Sequence, residues 1–250
     1  MSQAQFQEAL AMLIRLPEHN RVDIEEFLAD YQLSNPDKDN LRFVAQQREV
    51  FKFGYKMRRG RINYLLESIP ISLEVINRDQ LTKLIETEFD PEFTLIHARK
   101  IYRAFRIYFL SDDPSRKTLI KQYLGELPDY IFDVVNFELL DTELEFQGFQ
   151  DEDPPTGSAL KHMRFEVLSL DYQVHKFVEK KRSPSGKKAP KAPKNMKTHL
   201  LFLDDDESEC GYQLFEIDES GAQFLMLARQ GQKALPPNYY QDFVDCGLCK

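Results

Sequence analysis

The chain has 250 residues, 41 acidic against 33 basic side chains and a formal net charge of -8, enough length for a sizeable core in one large or two small domains. The acidic balance opposes general electrostatic steering toward nucleic acid, leaving only a local basic patch to act in that way. Three cysteines (Cys210, Cys246, Cys249) make no disulfide framework, no apolar run approaches a membrane span, and the opening MSQAQFQEAL lacks a basic region followed by an apolar one, so a cytoplasmic protein without a membrane partner is expected.

Residues 3–15 predict an amphipathic helix with Phe6, Leu10, Leu13 and Ile14 on one face and Pro17 at its end. A short helix follows around Ile24, Phe27, Leu28 and Tyr31, then a turn signal at Asn35-Pro36-Asp37. The stretch from Arg48 to Pro70 organises this half. Phe51, Tyr55, Ile62, Leu65, Leu66 and Ile69 share one side of a helix, and Pro70 marks its boundary. Leu41 and Val44 extend the same side, so this helix is expected to begin near residue 38, with Gly54 as a soft spot costing about 1 kcal/mol against alanine. Six basic residues, Arg48, Lys52, Lys56, Arg58, Arg59 and Arg61, lie in it, and Arg58 falls on the apolar stripe. A guanidinium there is either paired with an acid or turned toward a partner's surface.

A helix near 79–89 turns Leu81, Leu84, Ile85 and Phe89 inward. Asp90-Pro91 and Asp113-Pro114 both read as helix starts, an acidic N-cap followed by proline. The first opens an aromatic helix carrying Ile101, Phe105 and Tyr108, and the second ends at Gly125. Leu127-Pro128-Asp129-Tyr130 opens another, with Ile131, Val134, Val135 and Leu139 as its spine. Residues 1–150 therefore predict an all-helical domain.

The segment 151–162 reads as a polar linker, and beyond it the period shifts to two. One strand is expected from Phe165 to Val178, a second from Thr198 to Leu203 and a third from Tyr212 to Ile217, followed by a helix from Asp218 to Gln230. The expected fold is α+β, a helical domain followed by a three-stranded sheet and helix over 163–250. The basic, proline-rich 180–197 is expected to be a mobile loop.

Catalytic constellations are scarce. His19, His97, His162, His175 and His199 show no metal spacing, and neither a glycine-rich phosphate loop nor a GxSxG elbow is present. The Cys246-Gly247-Leu248-Cys249 pair next to the C-terminus offers a weak metal or redox alternative, on a tail expected to fray. Leu200, Leu201, Phe202 and Leu203 form either a central strand buried on both faces or one near an edge that needs cover.

The chain carries an arginine-and-aromatic helix closing at Tyr64-Leu65 and Ile69-Pro70, then Leu127-Pro128-Asp129-Tyr130-Ile131 followed by Asp133, Phe137 and Glu138, then Thr198-His199-Leu200-Leu201-Phe202, and last the run from Leu225 to Gly231. This order resembles the MbnC/HvfC-type family, partner subunits of MbnB-type multinuclear iron oxidases that modify cysteines in ribosomally made precursor peptides. The 180–194 stretch is longer than that pattern and the CGLC tail lies outside it. The family also carries a provisional label as a DNA-binding domain.

The resemblance implies a non-catalytic subunit, required by an iron oxidase, with the iron in the partner and no cofactor in this chain. Its partners would be an MbnB-like oxidase and a Cys-containing precursor peptide whose leader adds a strand to the small sheet. Candidate partner or peptide contacts are Arg48, Tyr55, Arg58, Arg61, Leu200, Leu201, Phe202, Leu203 and Phe224. The competing expectation is a regulator with a winged-helix-like module, opposed by the charge and by a helix over 218–230 whose single base is Arg229.

Overall fold

The computed structural model describes residues 3–15, 23–89, 101–149, 152–183, 191–205 and 207–250, without the side chains of 3–4, 15, 48–51, 53 and 147. The expected helix end at Pro17, the helix start at Asp90-Pro91 and residues 184–190 of the basic stretch lie outside this description. The fold is α+β. The chain divides into two compact units, Met1–Glu67 in one and Ser68–Phe89 with Ile96–Lys250 in the other.

The first unit contains α1 (Gln3–Arg15), α2 (Ile24–Ala29), α3 (Asn35–Ala45) and α4 (Arg48–Glu67). Ala9, Leu13, Leu28 and Leu41 form its core, with Phe6, Phe27 and Val44 packed around them. The Asn35-Pro36 signal is the first turn of α3 rather than a loop, because the Ser34 hydroxyl accepts the Asp37 N–H and proline occupies the opening turn. The expected continuous helix from residue 38 is broken at Gln46 and Gln47, whose N–H groups turn back to the carbonyls of Phe43 and Val44. Gly54 has a packing role. A Cβ there would collide with the backbone carbonyl of Ile14, so glycine lets α4 pass close to α1.

The second unit begins with a single 3₁₀ turn at Ser72–Glu74 and α5 (Arg78–Leu84), which continues as a π-helical turn over Ile85–Phe89. The helices α6 (Ile101–Phe109), α7 (Pro114–Leu124) and α8 (Tyr130–Gln147) follow. Asp113 caps α7 by accepting the Ser115 N–H, and Gly125 ends it at φ 77°. Leu81, Leu84, Ile85, Phe89, Ile101, Phe105 and Tyr108 are buried, as their spacing requires.

The sheet consists of β1 (Phe165–Tyr172), β2 (Asn195–Asp204) and β3 (Tyr212–Ile217), all antiparallel in the order β1-β2-β3. The first strand stops at Tyr172 rather than Val178. Val174, Phe177 and Val178 recur at helical spacing and are buried by α9 (Val174–Arg182). Lys180–Arg182 of the expected loop therefore lie in this helix, held by Lys181 to Glu74 and by Arg182 to Asp141 at 2.7 Å, while 195–197 lie in β2.

One face of the sheet meets α8 and α9. Phe202 packs there against Phe137 (ring centroids 6.0 Å) and Tyr212 (5.2 Å). The other face carries Phe165, Leu201 and Leu203, buried with Phe224 and Leu225 of α10 (Glu219–Arg229) and Phe243 of α11 (Tyr240–Asp245).

The expected division at residue 150 does not follow these contacts, because α8 packs on β1 and places the helices from α5 onward in the same unit as the sheet. Besides Asp141, which takes Arg182 of α9 and the Tyr212 hydroxyl of β3, two further carboxylates of α8 make joins. Asp133 accepts the N–H groups of Asp171 (2.7 Å) and Tyr172 (3.0 Å). Glu138, fully buried, accepts from the N–H of Ile71 (2.9 Å) and from the N–H (2.9 Å) and hydroxyl (2.6 Å) of Ser72. Burial raises the Glu138 pKa, and those donors pull it partly back.

The expected linker and frayed tail also pack. Leu160 and Cys249 are buried and bridge antiparallel, the Lys250 N–H bonds to the Ala159 carbonyl at 2.9 Å, and the Ser158 hydroxyl bonds to the Ala228 carbonyl at 3.0 Å. No described helix is long and apolar enough to cross a membrane.

Candidate functional site

The hydrogen-bond parity of the sheet decides which strand can accept another. The Asp205 N–H bonds to the Gly211 carbonyl just beyond the Asp204–Tyr212 pair, and the Asp204 N–H bonds to the Arg164 carbonyl just beyond the Phe165–Leu203 pair. In an antiparallel ladder this alternation makes Gln213, Phe215 and Ile217 direct their N–H and C=O groups at β2. Those of Tyr212, Leu214 and Glu216 point away. The Tyr212 carbonyl accepts from the Ser208 hydroxyl (2.9 Å), but no described residue bonds to the outward N–H or C=O of Leu214 and Glu216.

The opposite edge is blunted. Along β1 the Phe165 carbonyl accepts from Arg229 (2.8 Å), and Asp133 takes the amides of Asp171 and Tyr172. These contacts hold both ends of β1 against another strand; between them the outward groups of Val167 and Ser169, like those of Leu214 and Glu216 on β3, bond to no described residue, and β3 is the edge that has an apolar groove beside it.

Beside that edge lies a groove of about 450 Å³. Leu201, Phe215 and Ile217 line it from the sheet, Tyr239, Phe243 and Cys246 line it from the C-terminal segment, and Glu216, Asp218 and Asp242 complete it. Gly221 makes its far wall possible, since a Cβ there would overlap the Tyr239 hydroxyl. That hydroxyl donates to Asp218 at 2.5 Å, and Asp218 also accepts the Gly221 N–H (2.9 Å) and Ser220 hydroxyl (2.7 Å) at the start of α10.

These donors, Tyr239 first, hold the exposed Asp218 carboxyl down at about 2. A pKa lowered by folding contributes stability that is present above the ordinary aspartate range and lost as pH falls toward about 2. Asp218→Asn is therefore expected to flatten the loss of stability between about pH 4 and pH 2. Thermal unfolding at a series of pH values checks this, and equal acid limbs for variant and parent would contradict it.

The candidates from the sequence fall in several places. The Arg48 side chain lies outside the described residues. Tyr55 is exposed on α4, while Arg58 and Arg61 are half-buried and each already has an interaction within the chain. Leu200, Leu201, Phe202 and Leu203 are 0–6% exposed because β2 is the central strand with both faces covered, so this run offers no surface for a peptide. Of the four, only Leu201 reaches the groove. Phe224 is 3% exposed and stacks on Phe243 (6.1 Å), again as core.

Cys246 is exposed in the groove, whereas Cys249 is buried and its thiol is pushed up to about 11, by burial first. That buried thiol is poorly suited to act as a thiolate ligand. Among the described residues, no group of three or more His, Cys, Asp or Glu is placed to hold a metal ion. Arg229, the single base of the supposed recognition helix, is engaged with Glu166 at 2.9 Å and with the Phe165 ring and carbonyl, pointing into its own module.

The residues missed from the sequence are Phe215, Ile217, Tyr239, Asp242 and Phe243. A faint signal was present: YQLFEI keeps apolar side chains on both faces of a strand, and Tyr239, Tyr240 and Phe243 recur at helical spacing. The arrangement places backbone donors and acceptors beside an apolar hollow. No family model matches the chain, and no curated protein matches it in sequence.

Proposed function

We propose that this chain is a non-catalytic partner subunit that docks an MbnB-like, iron-dependent oxidase and captures the leader of a ribosomally made, Cys-containing precursor peptide. The oxidase would hold the iron and perform the cysteine chemistry, and this chain would supply the peptide, in the cytoplasm. The resemblance of the sequence motivates the oxidase. The observation that carries peptide capture is the open edge of β3, where the N–H and C=O groups of Leu214 and Glu216 point outward beside an apolar groove. A peptide in extended conformation would continue the sheet, main-chain bonds giving affinity and the groove selecting side chains.

The test uses the full chain co-expressed with the iron oxidase and short Cys-containing peptide encoded beside it. Sizing with light scattering is expected to show one complex, and labelled leader is expected to bind it. Leu214→Pro removes an outward N–H without touching the ladder to β2, so leader affinity should fall about tenfold while Leu214→Ala changes it little. Separate elution of the two proteins would refute the docking role. Unchanged affinity in Leu214→Pro would refute capture at this edge.

A further inference from the structure

The groove has a chemistry of its own. Its lining includes Glu216, Asp218 and Asp242 and no lysine or arginine. Two of these carboxylates are engaged: Glu216 pairs with Lys176 at 2.8 Å and with His175 at 3.4 Å on the α9 side, and Asp218 holds Tyr239. Asp242 differs. It is exposed on the first turn of α11, and among the described residues its carboxylate has no hydrogen-bond or ion-pair partner. The rings of Phe243 and Phe215, the latter 39% exposed on the sheet, line the same groove. The hollow is therefore apolar in its lining and singly anionic at an open position.

We propose that this groove selects an extended peptide carrying a large apolar side chain and, two residues away, a lysine or arginine. The reading rests on strand capture at β3. Alternate residues of an added strand share a face, so positions two apart both look into the groove. The apolar side chain packs between Phe215 and Phe243, and the cation, with its long apolar stem along Ile217 and Tyr239, reaches Asp242. A second copy of this chain is a poor occupant, because pairing β3 with β3 would bring two acidic grooves together.

The experiment titrates the full chain with fluorescent nine-residue peptides, a threonine–valine host with phenylalanine at the centre and lysine two positions on. Replacing that phenylalanine by alanine is expected to weaken binding about tenfold or more. Replacing the lysine by glutamate is expected to weaken it about fivefold. Asp242→Lys should invert the preference between the lysine and glutamate peptides, and its exposed, unengaged side chain makes this variant safe for folding. Equal binding of the two peptides, or an unchanged preference in Asp242→Lys, overturns the proposal. If binding persists there and still falls in Leu214→Pro, strand capture stands and only the side-chain selection fails. If no peptide binds, both fail. Concentration-dependent dimers that compete with peptide would assign the edge to a second copy and overturn the proposal.

Discussion

Glu138→Ala is expected to destabilise the second unit by about 3–5 kcal/mol, because it leaves two buried backbone N–H groups and a hydroxyl without their acceptor. Both carboxylate oxygens are used, Oε1 by Ile71 and Oε2 by Ser72, on a side chain with no exposure. Glu138→Gln cannot repair this, since an amide keeps one acceptor oxygen and turns an NH₂ group toward one of the same donors. The glutamine variant is therefore expected to lose more than half of what the alanine variant loses. Ser72→Ala, which removes one hydroxyl, should cost about 1 kcal/mol. Urea unfolding of the three variants checks the order. A neutral Glu138→Gln would show that the carboxylate is not holding the chain at 71–72 onto α8. Such a loss is a large fraction of the stability of an ordinary domain, so poor expression of Glu138→Ala agrees with the expectation.

Phe202→Ala is expected to cost a similar amount, about 3–5 kcal/mol, through a cavity in the middle of the sheet. The ring is fully buried and touches Phe137 on one side and Tyr212 on the other. Losing it loosens the packing of α8 on the sheet and the seat of β3, whose Tyr212 hydroxyl also donates to Asp141. Leu214→Ala, one residue on the neighbouring strand in register with Phe202, should cost under about 1 kcal/mol because Leu214 is 37% exposed. Comparable losses for the two would mean that β3 is covered in solution. A leader peptide bound at β3 should raise the midpoint of the parent by mass action and do less for Leu214→Pro.

Much of this was legible in the chain itself. The helices at Gln3–Arg15, Pro114–Leu124 and Tyr130–Gln147, the strand at Tyr212–Ile217 and the helix capped by Asp218 all follow from period, cap and turn residues within a few positions of one another. The inward sets of α5, α6 and α8 were equally plain, since a residue's helical face is a local property. The α+β class followed from the change of period.

Other features depended on contacts between distant segments. Val174–Arg182 could read as the tail of a strand until Phe177 met Tyr130 of α8 and the helical alternative buried its apolar side. Gly54 looked like a weakness, and only the approach of Ile14 makes it a requirement. An apolar run such as Leu200–Leu203 says that the strand wants cover, but not from which partners. Pairing with Phe165–Leu168 on one side and Gln213–Glu216 on the other makes it central and leaves β1 and β3 as the edges.

The sequence by itself determined the local elements, the class of the fold and the scarcity of recognisable catalytic motifs, because spacing and residue chemistry are carried along the chain. Which strands form the edges, how the C-terminal helix folds back beside β3, and that Asp242, Phe215 and Phe243 line one groove were decided only by tertiary structure. Each joins segments far apart in sequence, and hydrophobic burial is non-directional, so an apolar pattern specifies that a face is covered without specifying what covers it.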